Sequence, residues 1–316
     1  MRIATLDIGT NTVLLLIVEV EGQRIRVLRD DHAIARLGEG VDRTHRINNA
    51  ARERFLAVLT QHAATIAELG VTHISAIATS ALRDAENRDE IIRAAKGSTG
   101  ITVELLSGDD EAQWTYRGAL LGAQISPEDN LGVLDIGGGS TELSSGTGFR
   151  FVSGVSMDIG AVRITERCFG STPIAKEAVE PARLLIRETL HSSDPNRPTL
   201  SQLIAVAGTP TTLATMDQQL QEFDKSKVQN YILRREAVSQ LLDILLSQDT
   251  ATLLERYPAL NKARADILPA GALILAEAMD YCEVNEVRVS TRGLRYGIAI
   301  REAERLTGTT NFTILE

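Results

Sequence analysis

The sequence is poor in residues that cross-link a chain or ligate soft metals. Its 316 residues include two cysteines, Cys168 and Cys282, which lie far apart and outside any CxxC pair. Such cysteines exclude a disulfide scaffold and are typical of free thiols in a reducing compartment. The five histidines are scattered, without an HxH or HExxH pair. A zinc site built on histidine and cysteine is therefore not expected.

Long apolar runs and excess positive charge are also missing. No apolar stretch approaches the ~18–20 residues that a membrane span needs, and the first residues enter a strand-like pattern rather than a signal peptide. We therefore expect a cytoplasmic protein with no membrane partner. The net charge of −9 argues against nonspecific binding of nucleic acid. An anionic substrate would need basic groups placed locally.

The composition is that of an ordinary globular protein, with 43% hydrophobic and 24% charged residues. The length suggests about two domains. Strand and helix patterns alternate as βββαβαβα and restart after a hinge-like segment at 125–130, which predicts an α/β protein with domains at 1–125 and 126–293. Helical periodicity predicts helices at 48–69 and 158–169, one continuous helix at 263–282, and a terminal helix at about 294–306.

One short motif occurs once in each predicted domain. Residues 7–12 read DIGTNT and residues 135–141 read DIGGGST, and each motif joins two predicted strands. We interpret them as a duplicated β-hairpin whose tip directs backbone N–H donors toward an anion. For either loop taken singly, a tight hairpin without a ligand is the alternative. The candidate phosphate-binding residues are Gly9, Thr10, Asn11, Thr12, Gly137, Gly138, Gly139, Ser140 and Thr141.

Carboxylates beside these loops predict a divalent cation. Asp7 and Asp135 end the two strands, and Glu142 follows the second loop. Like charges about 4 Å apart repel by ~1 kcal/mol in water and by more in a drier cleft, and a cation removes that repulsion. Oxygen-only ligands favour Mg²⁺, with Mn²⁺ as an alternative. For Glu142, a solvated strand residue is the structural alternative.

A predicted helix start at residues 107–112 (SGDDEA) carries a cluster of acids. In the structural interpretation, Ser107 caps the helix and the acids complement its dipole. In the functional interpretation, Glu111 is a general base that the helix N-terminus keeps ionised. The spacing alone favours the structural interpretation.

Other candidates lie where strands end. Arg83 follows a strand at its carboxyl end, where α/β sites form, and is the best candidate among the arginines. Gly208 and Thr209 join a strand to a helix, either as a plain turn or as a ligand loop. The arginines around the last predicted strand are expected to be solvated surface charges; they are Arg288, Arg292 and Arg295.

Five segments, taken in order, resemble motifs of the exopolyphosphatase and guanosine pentaphosphate phosphohydrolase family, which belongs to the actin superfamily. They are residues 7–12, 78–83 (ATSALR), 107–112, 135–143 (DIGGGSTEL) and 207–209. The match extends over nearly the whole chain. The combination of DIGGGSTEL with SGxxEA is highly specific, and it reverses the local preference at residue 111 in favour of a base.

The resemblance implies two ribonuclease-H-like (actin-like) domains with a cleft between them, and a terminal segment, 294–316, that returns to the first domain. It implies that Glu111 activates the water that attacks a terminal phosphoryl group of inorganic polyphosphate and releases orthophosphate. Phosphoryl transfer of this kind is positioning plus charge stabilisation.

The resemblance also implies the ligands. Asp135 and Glu142 would be catalytic and would organise Mg²⁺, with Asp7 nearby. Arg83 would help to hold the polyphosphate chain, and the two hairpin loops together with Gly208 and Thr209 would cradle its phosphates.

Two departures from the family pattern stand out. Leu14 occupies a position where many members carry Arg or His, so one anion contact is expected to be missing. The chain also ends after the second predicted domain, whereas longer relatives add a helical region that supports dimerisation. A homodimer is therefore left open.

Three alternatives to the exopolyphosphatase reaction remain at this point. The close one is a guanosine pentaphosphate 5′-phosphohydrolase, or an enzyme with both activities. A second is an ATP-dependent kinase of the same superfamily, for which no adenosine or acceptor pocket is identified. A third is a noncatalytic sensor, against which the retention of Glu111, Asp135 and Glu142 argues.

Overall fold

The computed structural model describes residues 1–170, 172–194 and 199–315. The described residues form twelve β-strands in two sheets. In chain order the strands are β1 (Arg2–Ile8), β2 (Thr12–Glu21), β3 (Arg24–Ile34), β4 (His73–Ala78), β5 (Val103–Leu105), β6 (Asn130–Ile136), β7 (Thr141–Thr147), β8 (Arg150–Met157), β9 (Gln202–Val206), β10 (Ile232–Arg234), β11 (Glu286–Val289) and β12 (Thr313–Leu315).

The same residues form fourteen α-helices, of which none is both long and apolar enough to cross a membrane. They are α1 (Val41–Thr44), α2 (Asn49–Glu68), α3 (Ser80–Asp84), α4 (Arg88–Thr99), α5 (Gly108–Leu120), α6 (Ala161–Ile164), α7 (Lys176–Ser193), α8 (Gly208–Asp217), α9 (Lys225–Val228), α10 (Arg235–Ser247), α11 (Thr250–Arg256), α12 (Lys262–Ala265), α13 (Leu268–Tyr281) and α14 (Leu294–Thr307).

The chain divides into two compact units, one of Met1–Gln124 with Arg292–Glu316 and one of Ile125–Thr291. In the first unit the strand order is β12-β3-β2-β1-β4-β5. The strands β1, β2 and β3 are antiparallel neighbours, and β4 and β5 run parallel to β1. The second unit has the order β10-β11-β9-β6-β7-β8. The structure thus confirms an α/β fold with two ribonuclease-H-like units.

Alternation along the strands builds two apolar layers in the first unit. On β1, Leu6 and Ile8 belong to the cluster that includes Phe55 of α2, whereas Ile3 belongs to a cluster with Tyr296 of α14. Because successive strand residues face opposite sides, the sheet is covered on both faces. Helix α2 begins as expected, since the side chain of Asn48 accepts a hydrogen bond from the N–H of Ala51.

Helices α5 and α14 pack closely inside the first unit because glycine allows it. A Cβ atom built on Gly118 would lie 2.2 Å from the carbonyl oxygen of Gly293, and one on Gly297 would lie 1.9 Å from that of Trp114. Any larger side chain would push the two backbones apart. This contact fixes the C-terminal half of α5, whose first turn carries the candidate base.

Several predicted elements differ from the structure. The single helix expected at 263–282 is two helices, α12 and α13, separated at Asp266 and Ile267, because Pro269 in the first turn of α13 has no N–H to continue a helix. The helix expected over 158–169 starts only at Ala161 and continues as a π-helical turn, Thr165–Phe169. The terminal helix is present as α14 with bounds close to 294–306, but it does not extend through the segment 294–316: it ends at Thr307, where Gly308 has a φ of 65°, and β12 follows.

Candidate functional site

The two hairpins share one backbone design. In the first unit Asp7 pairs with Leu14 across β1 and β2, and in the second Asp135 pairs with Glu142 across β6 and β7. The N–H of Gly9 donates to the carbonyl of Thr12 at 2.9 Å, and the N–H of Gly137 donates to that of Ser140 at 3.0 Å. A strand follows each loop, so the predicted duplication of a hairpin is present in the structure.

Glu111 lies in the first turn of α5 and is buried, with 6% of its surface exposed. The predicted cap is present, since Ser107 Oγ accepts from the N–H of Asp110. Arg83 donates from Nη1 to Glu111 Oε2 at 2.6 Å and to the carbonyl of Leu106 at 3.0 Å. The structure therefore brings two of the predicted site residues into direct contact, and the first-turn acids divide into exposed Asp109 and Asp110 and buried Glu111.

Burial controls the protonation of this carboxyl group. Desolvation raises the pKa of Glu111, and the charge and hydrogen bond of Arg83 oppose that rise. The helix N-terminus was expected to favour the ionised form, and this effect does not dominate because the side chain is buried. A carboxylate with a raised pKa is a stronger base, which suits proton abstraction from water near neutral pH.

Asp7 belongs to the same charged region of the first unit. Its pKa is raised to about 7, because burial and the neighbouring charge of Glu111 raise it by more than Arg295 lowers it. Arg295 is itself buried, and its Nε and Nη2 donate to Asp30 at 2.8 and 3.1 Å. The hydroxyl of Tyr296 donates to the same carboxylate at 2.7 Å.

The sequence-based expectation for the last arginines was therefore wrong at two positions. Arg292 and Arg295 are not solvated surface charges, with only 6% and 5% of their surface exposed. Arg295 pairs with a residue 265 positions away in the chain, and local sequence carries no signal for such a pairing. Arg292 donates from Nη1 to the carbonyl of Leu121.

The loop of the first hairpin holds buried polar atoms. Thr10 and Asn11 are 6% and 7% exposed, and among the described residues Thr10 Oγ1 and Asn11 Oδ1 have no hydrogen-bond partner. Leaving such groups unpaired costs free energy, so a ligand or water is expected to satisfy them. The carbonyl of Asn11 accepts from Ala35 and Arg36, and that of Thr10 accepts from Gly38.

The loop of the second hairpin is made of glycines. The carbonyls of Gly137 and Gly138 accept from backbone N–H groups at the start of α6. Across the described ranges, no protein acceptor takes the N–H of Gly138 or Gly139. The hydroxyl of Thr141, by contrast, donates to the carbonyl of Ile159, so this side chain has a structural partner. The free donors of the loop are of the kind that bind phosphate oxygens.

Asp135 and Glu142 face the same side of their sheet, because directly opposed residues of antiparallel strands do so. Glu142 is 2% exposed and accepts from Ser156 Oγ at 2.6 Å, so the solvated alternative for it is wrong. In the described ranges no three or more His, Cys, Asp or Glu side chains gather into a metal cage. Two carboxylates nevertheless fit Mg²⁺, which is usually bound by one or two carboxylates, waters and substrate phosphates.

Gly208 and Thr209 open helix α8 directly after β9. Ala207 has a φ of 74°, a strained value for alanine and the kind of outlier that clusters at ligand sites. A Cβ on Gly208 would lie 2.0 Å from Nη1 of Arg264, and one on Gly271 would lie 2.2 Å from Oγ1 of Thr209. Because both positions are glycine, the guanidinium of Arg264 can lie against the backbone of Gly208, and the hydroxyl of Thr209 can lie against that of Gly271.

Comparisons with known proteins identify the family of this chain. The sequence matches the Ppx/GppA phosphatase family over residues 16–306. The protein called Exopolyphosphatase 2 from Mycobacterium tuberculosis is 33% identical over 324 residues, which cover 95% of this chain and 98% of that protein. Exopolyphosphatase 1 from Mycobacterium bovis is 28% identical over 310 residues, which cover 96% and 89%.

Solved structures show the same relationship. The crystal structure of an exopolyphosphatase from Cytophaga hutchinsonii has a TM-score of 0.87 at 27% identity, covering 99% of this chain and 100% of that one. The Ppx/GppA family member from Aquifex aeolicus has a TM-score of 0.82 at 27% identity, covering 98% and 99%. These relatives share the α/β fold of two units described above. The chain belongs to the Ppx/GppA phosphatase family.

Proposed function

We propose that this protein is an exopolyphosphatase that removes orthophosphate from the end of inorganic polyphosphate. The observation that carries the proposal is the buried Glu111, held by Arg83 in the first turn of α5, in a family whose named relatives include exopolyphosphatases. Burying a carboxylate costs free energy unless it is paired, as Glu111 is with Arg83. A raised pKa is typical of a catalytic base.

In the proposed reaction, Glu111 accepts a proton from water, and the oxygen of that water forms a bond to the terminal phosphorus. The bond from this phosphorus to the bridging oxygen breaks, and its electron pair leaves on the shortened chain. The products are orthophosphate and a polyphosphate one unit shorter. Arg83 has a second role in the proposal, since its guanidinium offers charge to phosphate oxygens beside the base.

The two hairpin loops and the 208–209 turn supply the remaining phosphate contacts in this proposal. The unpartnered Thr10 hydroxyl and the N–H groups of Gly138 and Gly139 support that role. Backbone donors suit a polymeric substrate because every unit of polyphosphate presents the same oxygens.

We further propose Mg²⁺ as the cofactor, with Asp135 and Glu142 as its protein ligands. When bound, the cation would neutralise phosphate charge in the ground state and during bond cleavage. Ser156 Oγ donates to one oxygen of Glu142 and so helps to fix the orientation of this carboxylate.

The test is steady-state release of orthophosphate by the purified protein from polyphosphates of graded length and from guanosine pentaphosphate. Each substrate is assayed with Mg²⁺ and in excess chelator. We expect turnover of polyphosphate that chelation stops. Turnover of guanosine pentaphosphate alone would replace the proposed substrate, and full activity in chelator would contradict the role of Mg²⁺. No release from either substrate would contradict the proposed activity.

A further inference from the structure

The glycine loop of the second hairpin is held from one side by a single short segment. The N–H of Ala161 donates to the carbonyl of Gly137 at 2.9 Å. The N–H groups of Val162 and Arg163 donate to the carbonyl of Gly138 at 2.8 and 3.1 Å. Two of the loop's three glycine carbonyls are thus fixed by the backbone at the start of α6.

The third carbonyl, that of Gly139, accepts its hydrogen bond from a side chain. The next N–H of the helix, that of Ile164, is already used inside the helix, where it donates to the carbonyl of Gly160. The carbonyl of Gly139 accepts instead from Arg163 Nε at 2.7 Å. Arg163 is only 9% exposed, so this contact lies within the protein and is not a surface ion pair.

These four hydrogen bonds to three carbonyls set the direction of the loop's N–H donors. A peptide unit is planar and trans, so its N–H points opposite to its C=O. With the carbonyls of Gly137, Gly138 and Gly139 directed toward α6, the N–H groups of the following residues point away from it. The donors on that opposite side belong to Gly138, Gly139 and Ser140, all of which are candidate phosphate-binding residues.

We propose that Arg163 is a positioning residue for phosphate binding, which acts by holding the Gly139 carbonyl so that the N–H of Ser140 faces the substrate. The inference rests on the proposed function for its substrate, and on the geometry of the loop for its mechanism. Arg163 contributes a hydrogen-bond donor at Nε, and its charge is not the property that the substrate requires.

Substitutions of Arg163 can distinguish this role of Nε as a donor from a direct contact between the guanidinium charge and phosphate. In arginine Nε is bonded to Cδ, and in glutamine Nε2 is bonded to Cδ as well, so Arg163→Gln keeps an N–H donor at the same point and removes the charge. Arg163→Lys keeps the charge but places a methylene there. Arg163→Met removes both.

The experiment measures binding of inorganic triphosphate by calorimetry in the intact protein, together with KM and kcat for polyphosphate. We expect Arg163→Met and Arg163→Lys to weaken triphosphate binding about tenfold, the scale of one hydrogen bond to a charged group. Arg163→Gln is expected to stay within about threefold of the wild type. For polyphosphate the effect should lie in KM more than in kcat.

Several outcomes would overturn the inference. If Arg163→Lys binds as tightly as the wild type and Arg163→Gln does not, the residue acts through its charge. If all three variants bind triphosphate normally, the bond to Gly139 has only a structural role. A lower melting temperature in Arg163→Met does not affect the comparison, because the Gln and Lys variants decide it.

The same data separate this inference from the proposed function. A wild-type protein that binds triphosphate but does not cleave polyphosphate would refute the activity, while the ranking of the variants would still test Arg163. A wild-type protein that binds no triphosphate would overturn both. Normal turnover with unchanged binding in Arg163→Met would overturn the positioning role alone.

Discussion

The two hairpins of this protein have the same register and different side chains. Each starts from an Asp-Ile-Gly sequence, and each closes its loop with a hydrogen bond from the glycine N–H. Across from the aspartate, however, the first hairpin has Leu14 and the second has Glu142. The two hairpins therefore have the same backbone arrangement, but the side chains at equivalent positions differ in charge.

The loops differ in the same way. In the first hairpin Thr10 and Asn11 place side-chain oxygens at the tip, and the neighbouring segment holds the loop with backbone N–H groups of Ala35, Arg36 and Gly38. The second tip is all glycine and is held in part by a guanidinium. A loop without side chains can bring its backbone closer to an anion, but another residue must fix its orientation.

The surroundings of the hairpins differ most in charge. The first hairpin lies in the unit that holds Glu111 with Arg83, and Asp30 with Arg295. The second hairpin carries its own acid pair. In the proposed function, the first unit carries the candidate base and the second carries the candidate metal ligands. The following predictions test that arrangement.

The largest effect is expected for Glu111→Gln, which keeps the shape of the side chain and removes its basicity. We expect kcat for polyphosphate to fall by about 10³-fold, within the range of general base catalysis, while polyphosphate binding persists. Asp109→Asn is the matched control, since Asp109 lies in the same helical turn and is exposed. Near-normal turnover in Glu111→Gln would mean that the base lies elsewhere.

The second prediction concerns stability and compares a buried ion pair of the first unit with a surface ion pair of the same unit. Burial alone would raise the pKa of Asp30, but hydrogen bonds from His32, Arg295 and Tyr296, with the charge of Arg295, hold it well below its usual range. Asp30→Asn leaves Arg295 without its charged partner, so we expect a loss of about 3 kcal/mol in the free energy of unfolding at pH 7.

The pH dependence of that loss has a definite sign. Because the folded-state pKa is lowered, the stabilisation is complete above the unfolded-state pKa of about 3.9 and is lost as the pH falls below it. The gap between wild type and Asp30→Asn in urea unfolding should therefore narrow below about pH 4. Asp31→Asn, which removes a surface pair with Arg29, should cost less than about 1 kcal/mol. Equal losses in both variants would refute the account.

The third prediction addresses the difference between Leu14 and Glu142. Glu142→Gln removes one of two proposed ligand charges, so about tenfold more Mg²⁺ should be needed for half-maximal activity. Leu14→Met changes the equivalent position of the first hairpin with little change in volume and should leave the Mg²⁺ requirement unaltered. An unchanged Mg²⁺ curve in Glu142→Gln would remove this residue from the metal site.

Sequence could predict the parts of this design that depend on local pattern. The paired DIG motifs predicted the duplicated hairpin, helical periodicity predicted a helix at 48–69, and Ser107 predicted the cap of α5. All three depend on residues within a few positions of one another, where turn and cap chemistry acts. The exposure of Asp109 and the burial of Glu111 were not separable, because burial depends on the packing of distant elements.

The features that the sequence did not predict also depend on contacts between distant parts of the chain. Strands β10 and β12 have three residues each, too few to show an alternation, and they exist because partners elsewhere in the chain pair with them. The bond of Arg295 to Asp30 and that of Arg163 to Gly139 link positions 265 and 24 residues apart. Sequence shows the charge of an arginine but not the acceptor it reaches.

The smallest effect compares a glycine in open space with a glycine that packs against the loop of the second hairpin. Gly97 lies in helix α4, is exposed, and would meet no atom within 4 Å if it carried a Cβ. Gly97→Ala should therefore stabilise the protein by about 0.5–1 kcal/mol, since alanine restricts the unfolded chain and favours a helix. Gly160→Ala is the contrast, because its Cβ would lie 2.4 Å from the carbonyl oxygen of Gly138. It should lower the urea midpoint and weaken triphosphate binding. A Gly160→Ala variant as stable and as tight-binding as the wild type would show that the glycine loop tolerates movement, and that its orientation by α6 is not needed for phosphate binding.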